Sequence, residues 1–311
     1  MLSVGHVSRG DTGVTAVYFG PAGAVAGVDV RGGPGTRETD LLAPHNTVQR
    51  VHAIVLAGGS AFGLAAADGA MRQLAQEGLG FAVFGEDKPG PRVPIVPAAV
   101  IFDLAVGPTM PTADDGAAAI RAALAGDDPS QGSVGAGCGA TAGKLRGGVG
   151  RAQLAAADTG FRVGAIVVAN PVGQVVDAAT GRLFGAPGRP GIDRAAFAEL
   201  PDPAASLNTT IGVVYTDAPL NKAQAQRLAL AGHDGIARAV RPAHSPLDGD
   251  TLFGVSTATP AQAAGASAPV GDATLARLTA LAADAVEAAI VSAVCAASDG
   301  FGYPAYSSLL R

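Results

Sequence analysis

Two short stretches of this sequence carry side chains whose order suggests catalysis. The first is Asn208-Thr209-Thr210, at the entrance to the apolar run 211–215. A threonine hydroxyl is a weak nucleophile until a base stands beside it. A free α-amine on the same residue can be that base, because its pKa lies near neutrality, at about 8. Such a catalyst requires the backbone to be cut between Asn208 and Thr209. The second stretch is Asp248-Gly249-Asp250. Carboxylates at i and i+2 of an extended chain point to one side. They could hold the new ammonium or accept its proton. The plainer reading is a turn leading into a strand, since Asp-Gly is common in turns.

Other motifs are weaker. CGATAGKL at 138–145 ends in Gly-Lys like a phosphate loop, but Cys138 replaces the first glycine and Leu145 the final Ser/Thr. GAGCGATAG has only approximate dinucleotide spacing. The Asn208-Thr209-Thr210 sequon has no secretory signal to make it a glycosylation site. His45, His52, His233 and His244 form no metal spacing, and His233 and His244 read as structural. Cys138 and Cys295 form neither a disulfide framework nor a metal cluster. Neither a metal nor a cofactor is expected.

Elements able to hold these residues alternate along the chain. Strands are predicted at 15–20 and 24–33, joined as a hairpin by Pro-Ala-Gly. A further strand at 51–59 is apolar throughout and ends in glycines, as one buried on both faces should be. A helix follows over 60–78, with Ser60 as its cap and Gly78 as its stop. A short helix is predicted around 114–126. Two strands around an Asn-Pro turn are expected over 161–177. After the 207–217 strand come a helix at 220–240, a strand at 250–259 and a long alanine-rich helix at 272–298. Residues 180–205, punctuated by proline and glycine, read as a surface loop. It is expected to be mobile and to let a new chain end move away before the Asn-Thr-Thr stretch. Sheets apolar on both faces need helices outside them.

With 311 residues, 48% hydrophobic and 15% charged, the chain can bury a substantial core. Its net charge of −5 lacks any long run of one sign, which argues against nucleic-acid binding. No apolar stretch reads as a membrane span and no leader is evident, so a cytoplasmic location is expected.

Taken together, GGSAFGLAAADG (58–69), GCGATAGK (137–144), VVANPVG (167–173), NTTIGVV (208–214) and HSPLDGDTLF (244–253) occur in the order seen in one family. The chain resembles the DmpA aminopeptidase and nylon-oligomer hydrolase family from about Val14 to the C-terminal helix. The resemblance implies an α/β fold, a four-layer αββα sandwich similar to N-terminal-nucleophile hydrolases and ornithine acetyltransferase. It implies one domain, 1–311, that cuts itself into 1–208 and 209–311. Thr209 would be the nucleophile. Lys144 would favour its alkoxide, Asn170 would donate to the oxyanion, and Asp248 and Asp250 would orient the amine. Phe62 stands where some relatives carry a tyrosine, so a polar substrate contact there is lost. Implied substrates are small peptides, amino-acid amides or oligoamides, and a tetramer of processed pairs is implied. An N-acyltransferase using the same threonine is the alternative, and a non-catalytic binding module the third reading.

Overall fold

The computed structural model describes residues 2–202, 208–265 and 270–310. Ten strands build its main sheets. They are β1 (Ser3–Ser8), β2 (Gly13–Tyr18), β3 (Val25–Val30), β4 (Thr36–Arg37) and β5 (Ala53–Ala57), then β6 (Ala98–Val100), β7 (Gly148–Ala156), β8 (Phe161–Ala169), β9 (Ile211–Thr216) and β10 (Thr251–Ser256). One sheet has the order β1-β2-β5-β6-β4 and the other β7-β8-β9-β10-β3. Each contains one parallel pair, β5 with β6 and β9 with β10, and is otherwise antiparallel.

Period-two patterning explains the layers. On β5, Ile54 and Leu56 point into the space between the sheets, where they join Ile166, Val168, Ile211, Val213 and Phe253. Val55 and Ala57 point the other way, onto helices α1 (Ala65–Gln76) and α2 (Ala113–Ala125). On the second sheet Val163, Val167 and Val214 face α3 (Lys222–Ala239) and α4 (Asp272–Ala296). The result is helix, sheet, sheet, helix. Capping boxes at Thr112 with Asp115 and at Asn221 with Gln224 start α2 and α3. By length and composition α4 could cross a membrane, yet Leu278, Ala282, Val286, Ile290 and Val294 are buried in the second helical layer.

Several sequence expectations need correction. Strands β2 and β3 are not a hairpin, for β2 pairs with β1 and β5 while β3 pairs with β10 in the other sheet. The intervening Gly20 and Gly23 have positive φ, which a hairpin turn and a sheet-to-sheet crossing can both use. Ser60 does not cap α1: at φ 54° it opens a 3₁₀ turn, Ser60–Leu64, and α1 begins at Ala65. The second strand of the 161–177 pair is only Val176–Asp177, which pairs with Arg182–Leu183. The expected surface loop is largely exposed over 180–202, but it is anchored by apolar side chains. Leu183, Ile192 and Phe197 are buried in the core under α3 and α4, and a short helix, Arg194–Glu199, is capped by Asp193. The expectation for residues 203–205, the last of that loop, falls outside the described residues, as do Ser206 and Leu207.

Candidate active site

The Asn208–Thr209 junction extends the central parallel pair of the second sheet. The ladder of β9 and β10 runs back past the starts of both strands. Asn208 N–H donates to Leu247 O at 3.2 Å, Gly249 N–H to Asn208 O at 3.0 Å, and Thr251 N–H to Thr210 O at 3.0 Å. On the opposite side Thr209 N–H donates at 2.8 Å to the main-chain oxygen of Asn170, just beyond β8. Asn208, Thr209 and Thr210 are all buried. The carbonyl of the Asn208–Thr209 peptide therefore already accepts a backbone N–H, the kind of fixed donor that stabilises an oxyanion. Glycine is required at 249 for space: a Cβ there would lie 2.7 Å from Pro34 Cα and N.

The two aspartates hold different things. Asp248 Oδ1 accepts Val172 N–H at 3.1 Å, and Oδ2 accepts the N–H and hydroxyl of Ser245 at 3.0 and 2.7 Å. It thus ties the loop after β8 to the loop before β10. Burial raises its pKa, as does the charge of Asp250, while the bonds from Ser245 and Val172 oppose the rise. Asp250 faces the junction strand. Its Oδ1 accepts Thr210 N–H at 2.8 Å, its Oδ2 lies 2.7 Å from His244 Nδ1, and its main-chain oxygen accepts Arg31 N–H at 2.8 Å.

Asn170 is fully buried. Its Oδ1 accepts Thr141 N–H at 2.9 Å and its Nδ2 donates to Phe102 O at 3.1 Å, which leaves one amide hydrogen beyond that bond. It therefore joins both sheets to the GCGATAGK loop as well as meeting Thr209. Lys144 lies on that loop, between Thr141–Ala142 and Leu145–Arg146. Its backbone neighbour Gly143 donates to Pro171 O, the acceptor also used by Asn208 Nδ2. Its ammonium points elsewhere, donating to Leu200 O at 2.8 Å and pairing with Asp202 at 2.9 Å. Phe62 sits on the 3₁₀ turn after β5 and is 60% exposed. The 32–35 loop packs against both that turn and Gly249.

The structure thus gathers Asn208, Thr209, Asn170, Asp248 and Asp250 and joins the Lys144 loop to them through Pro171, while the lysine head group bonds to 200–202. Sequence reasoning missed three contributors. Gly249 supplies a backbone donor. His244 reaches Asp250, although a single loop histidine carries no spacing signal. Asp103, buried at 2% exposure, binds Gly59 N–H at 2.6 Å and the Thr12 hydroxyl at 2.7 Å, fixing the turn that carries Phe62.

Comparisons with known proteins bear on the family and the fold. The sequence profile of Peptidase family S58 matches residues 2–305. An uncharacterized aminopeptidase of Mycobacterium leprae is 46% identical over 99% of this chain and 92% of its own. A 6-aminohexanoate-oligomer endohydrolase of Kocuria sp. is 34% identical over 82% of this chain and 73% of its own. Among solved structures, a Burkholderia sp. β-aminopeptidase superposes with TM-score 0.73 at 24% identity, over 97% of this chain and 87% of that one. The L-aminopeptidase D-Ala-esterase/amidase of Ochrobactrum anthropi, described as a variant of the Ntn hydrolase fold, gives 0.69 at 24% identity, over 95% and 84%. Both support the αββα architecture.

Proposed function

This chain belongs to peptidase family S58 and is a hydrolase of amide bonds, and we propose that it makes its own catalyst by cutting the Asn208–Thr209 bond. The observation that carries this reading is the buried junction carbonyl, already bonded to Gly249 N–H at 3.0 Å, with the nucleophile candidate next to it. In the uncut chain the Thr209 hydroxyl attacks the Asn208 carbonyl carbon. The C–O bond forms as the C–N bond breaks, the hydroxyl proton ends on the departing nitrogen, and water then hydrolyses the ester. The freed α-amine becomes the general base for later turnovers.

In the cut enzyme Thr209 attacks a substrate amide, an acyl-enzyme ester forms, and water releases the acid. The remaining amide hydrogen of Asn170 and backbone N–H groups stabilise the oxyanion. Asp250 and Asp248 orient the ammonium of Thr209 and attract that of a substrate. Short amides with a free amino end are the substrate class, with Phe62 offering apolar surface. Lys144 joins this chemistry once its head group leaves Leu200 and Asp202.

Intact-mass and N-terminal analysis of purified protein tests the first step. The expected result is fragments 1–208 and 209–311 with Thr209 at the new terminus, and no cutting in Thr209→Ala. An aged sample that keeps only full-length mass refutes it. Turnover is tested on amino-acid p-nitroanilides, β-amino-acid amides and aminohexanoate oligomers.

A further inference from the structure

We propose that His244 is a positioning residue for the Asp250 carboxylate, and that through Asp250 it controls both cutting at Asn208–Thr209 and turnover by Thr209. The inference rests on the self-processing hydrolase reading. Asp250 is gripped at both oxygens, by Thr210 N–H on one side and His244 Nδ1 on the other. Rotation of the carboxylate would release Thr210 and shift its neighbour Thr209. His244 Nδ1 fixes that rotation.

The surroundings are built for this contact. His244 has φ 54°, a conformation that a side-chain-bearing residue seldom adopts and that aims its ring at Asp250. His233, on α3, packs edge-on against it, with centroids 5.0 Å apart and planes at 61°. His233 is wholly buried, its Nδ1 and the His244 Nε2 are both buried without a hydrogen-bond partner, and its Nε2 lies 3.3 Å from Asp29. Two buried imidazoles that each leave a nitrogen unsatisfied carry a cost in stability. The Nδ1 contact is the return for it.

The charged groups around His244 are Asp250, Arg31 and, across the ring contact, His233; Asp248 faces Asp250. Arg31 bonds Asp29 at 2.9 Å, and its charge opposes the imidazolium form of His244. The bond and charge of Asp250 raise the His244 pKa, against its burial. The imidazolium–carboxylate pair is therefore complete at low pH and is lost as pH rises through that raised value. The neutral ring keeps its proton on Nδ1, where Oδ2 accepts it and where Nε2 has no acceptor to compete, so what is lost is the charge that strengthens the bond.

His244→Asn keeps a donor close to the Nδ1 position but cannot titrate, whereas His244→Phe keeps the ring shape and removes the donor. Cutting is followed by intact mass, and turnover by kcat and KM on an amino-acid p-nitroanilide. His244→Phe should slow cutting and kcat by about tenfold or more with KM little changed, as expected for a group acting only in the transition state. His244→Asn should recover most of the rate and lose the alkaline decline of the wild type. Should the phenylalanine variant not fold, the asparagine variant carries the test alone, and an unchanged pH profile or a tenfold-slowed folded protein overturns the proposal. Imidazole ¹H–¹⁵N spectra supply a readout independent of activity: His244 should titrate lower in Asp250→Asn. Wild-type rates in His244→Phe overturn this inference while the hydrolase reading stands. A wild type that neither cuts nor hydrolyses overturns both, even if the spectra show the pair.

Discussion

Gly249 makes the clearest test at the scale of single residues. Its N–H meets the junction carbonyl, and its missing Cβ is what lets the chain pass Pro34. Gly249→Ala should push the backbone away and slow cutting by about 10²-fold, the effect of removing one oxyanion donor; wild-type cutting in a time course of intact mass would remove Gly249 from the mechanism. Asp103 gives a stability test. Burial pushes its carboxyl up to about 6, despite the bonds from Gly59 and Thr12. The folded value lies above the unfolded 3.8, so its stabilising contribution is complete below that and is lost as pH rises through 6. Between pH 3.5 and 7 the fall attributable to this group is at most about 3 kcal/mol. Asp103→Asn should flatten that part of the urea-denaturation profile, and an unaltered slope would show that Asp103 is already ionised at low pH. Much of this neighbourhood was legible in sequence. Asn208, Thr209, Asn170 and the aspartates stand out because a motif fixes them in order. His244 and Gly249 lie in the same 244–253 motif, but their roles were not legible, because one acts through a bond across a turn and the other through a backbone N–H.

The elements that read correctly are those with a strong period. Strands β5, β9 and β10 and helices α1 to α4 have continuous apolar runs or helical spacing, and these set their type before any partner is known. The failures share a cause. Strands β1 and β7 were missed because polar and small residues interrupt them, and only pairing across the sheet makes them strands. The supposed β2–β3 hairpin failed because a turn signal does not say which sheet receives the chain. Within 180–202 the surface reading holds for most residues, but loop composition hid the anchors Leu183, Ile192 and Phe197, which pack under α3 and α4. That packing matters at the junction, since the segment leads to Leu200 and Asp202 on Lys144. Asp202 is 90% exposed, so its ion pair contributes less than about 1 kcal/mol. Asp202→Ala should leave the urea midpoint nearly unchanged; a large fall would mean that the pair anchors the whole segment.

At the scale of the molecule, the sheet order decides what a cut can do. The second sheet runs β7-β8-β9-β10-β3. Its third and fourth strands follow residue 209, while β7, β8 and β3 precede it. Strands β9 and β10 are therefore flanked on both edges by the other fragment, bonded to β8 over Val163–Val168 and to β3 over Val25–Val30. Ile211, Val213 and Phe253 also fill the space between the sheets against Ile54, Leu56 and Ile166, all of the first fragment. Separating the pieces would expose this core and two rows of backbone groups, each needing a partner. Cutting at Asn208–Thr209 should accordingly change local freedom at the new ends and leave the association of the fragments intact. Cut protein should run as one species in native size exclusion and native mass spectrometry, and as two chains on a denaturing gel. Phe253→Ala should weaken the shared core by about 3–5 kcal/mol and lower the urea concentration at which the fragments part. Fragments that separate in native buffer at micromolar concentration would show that the core between the sheets does not hold the two pieces together.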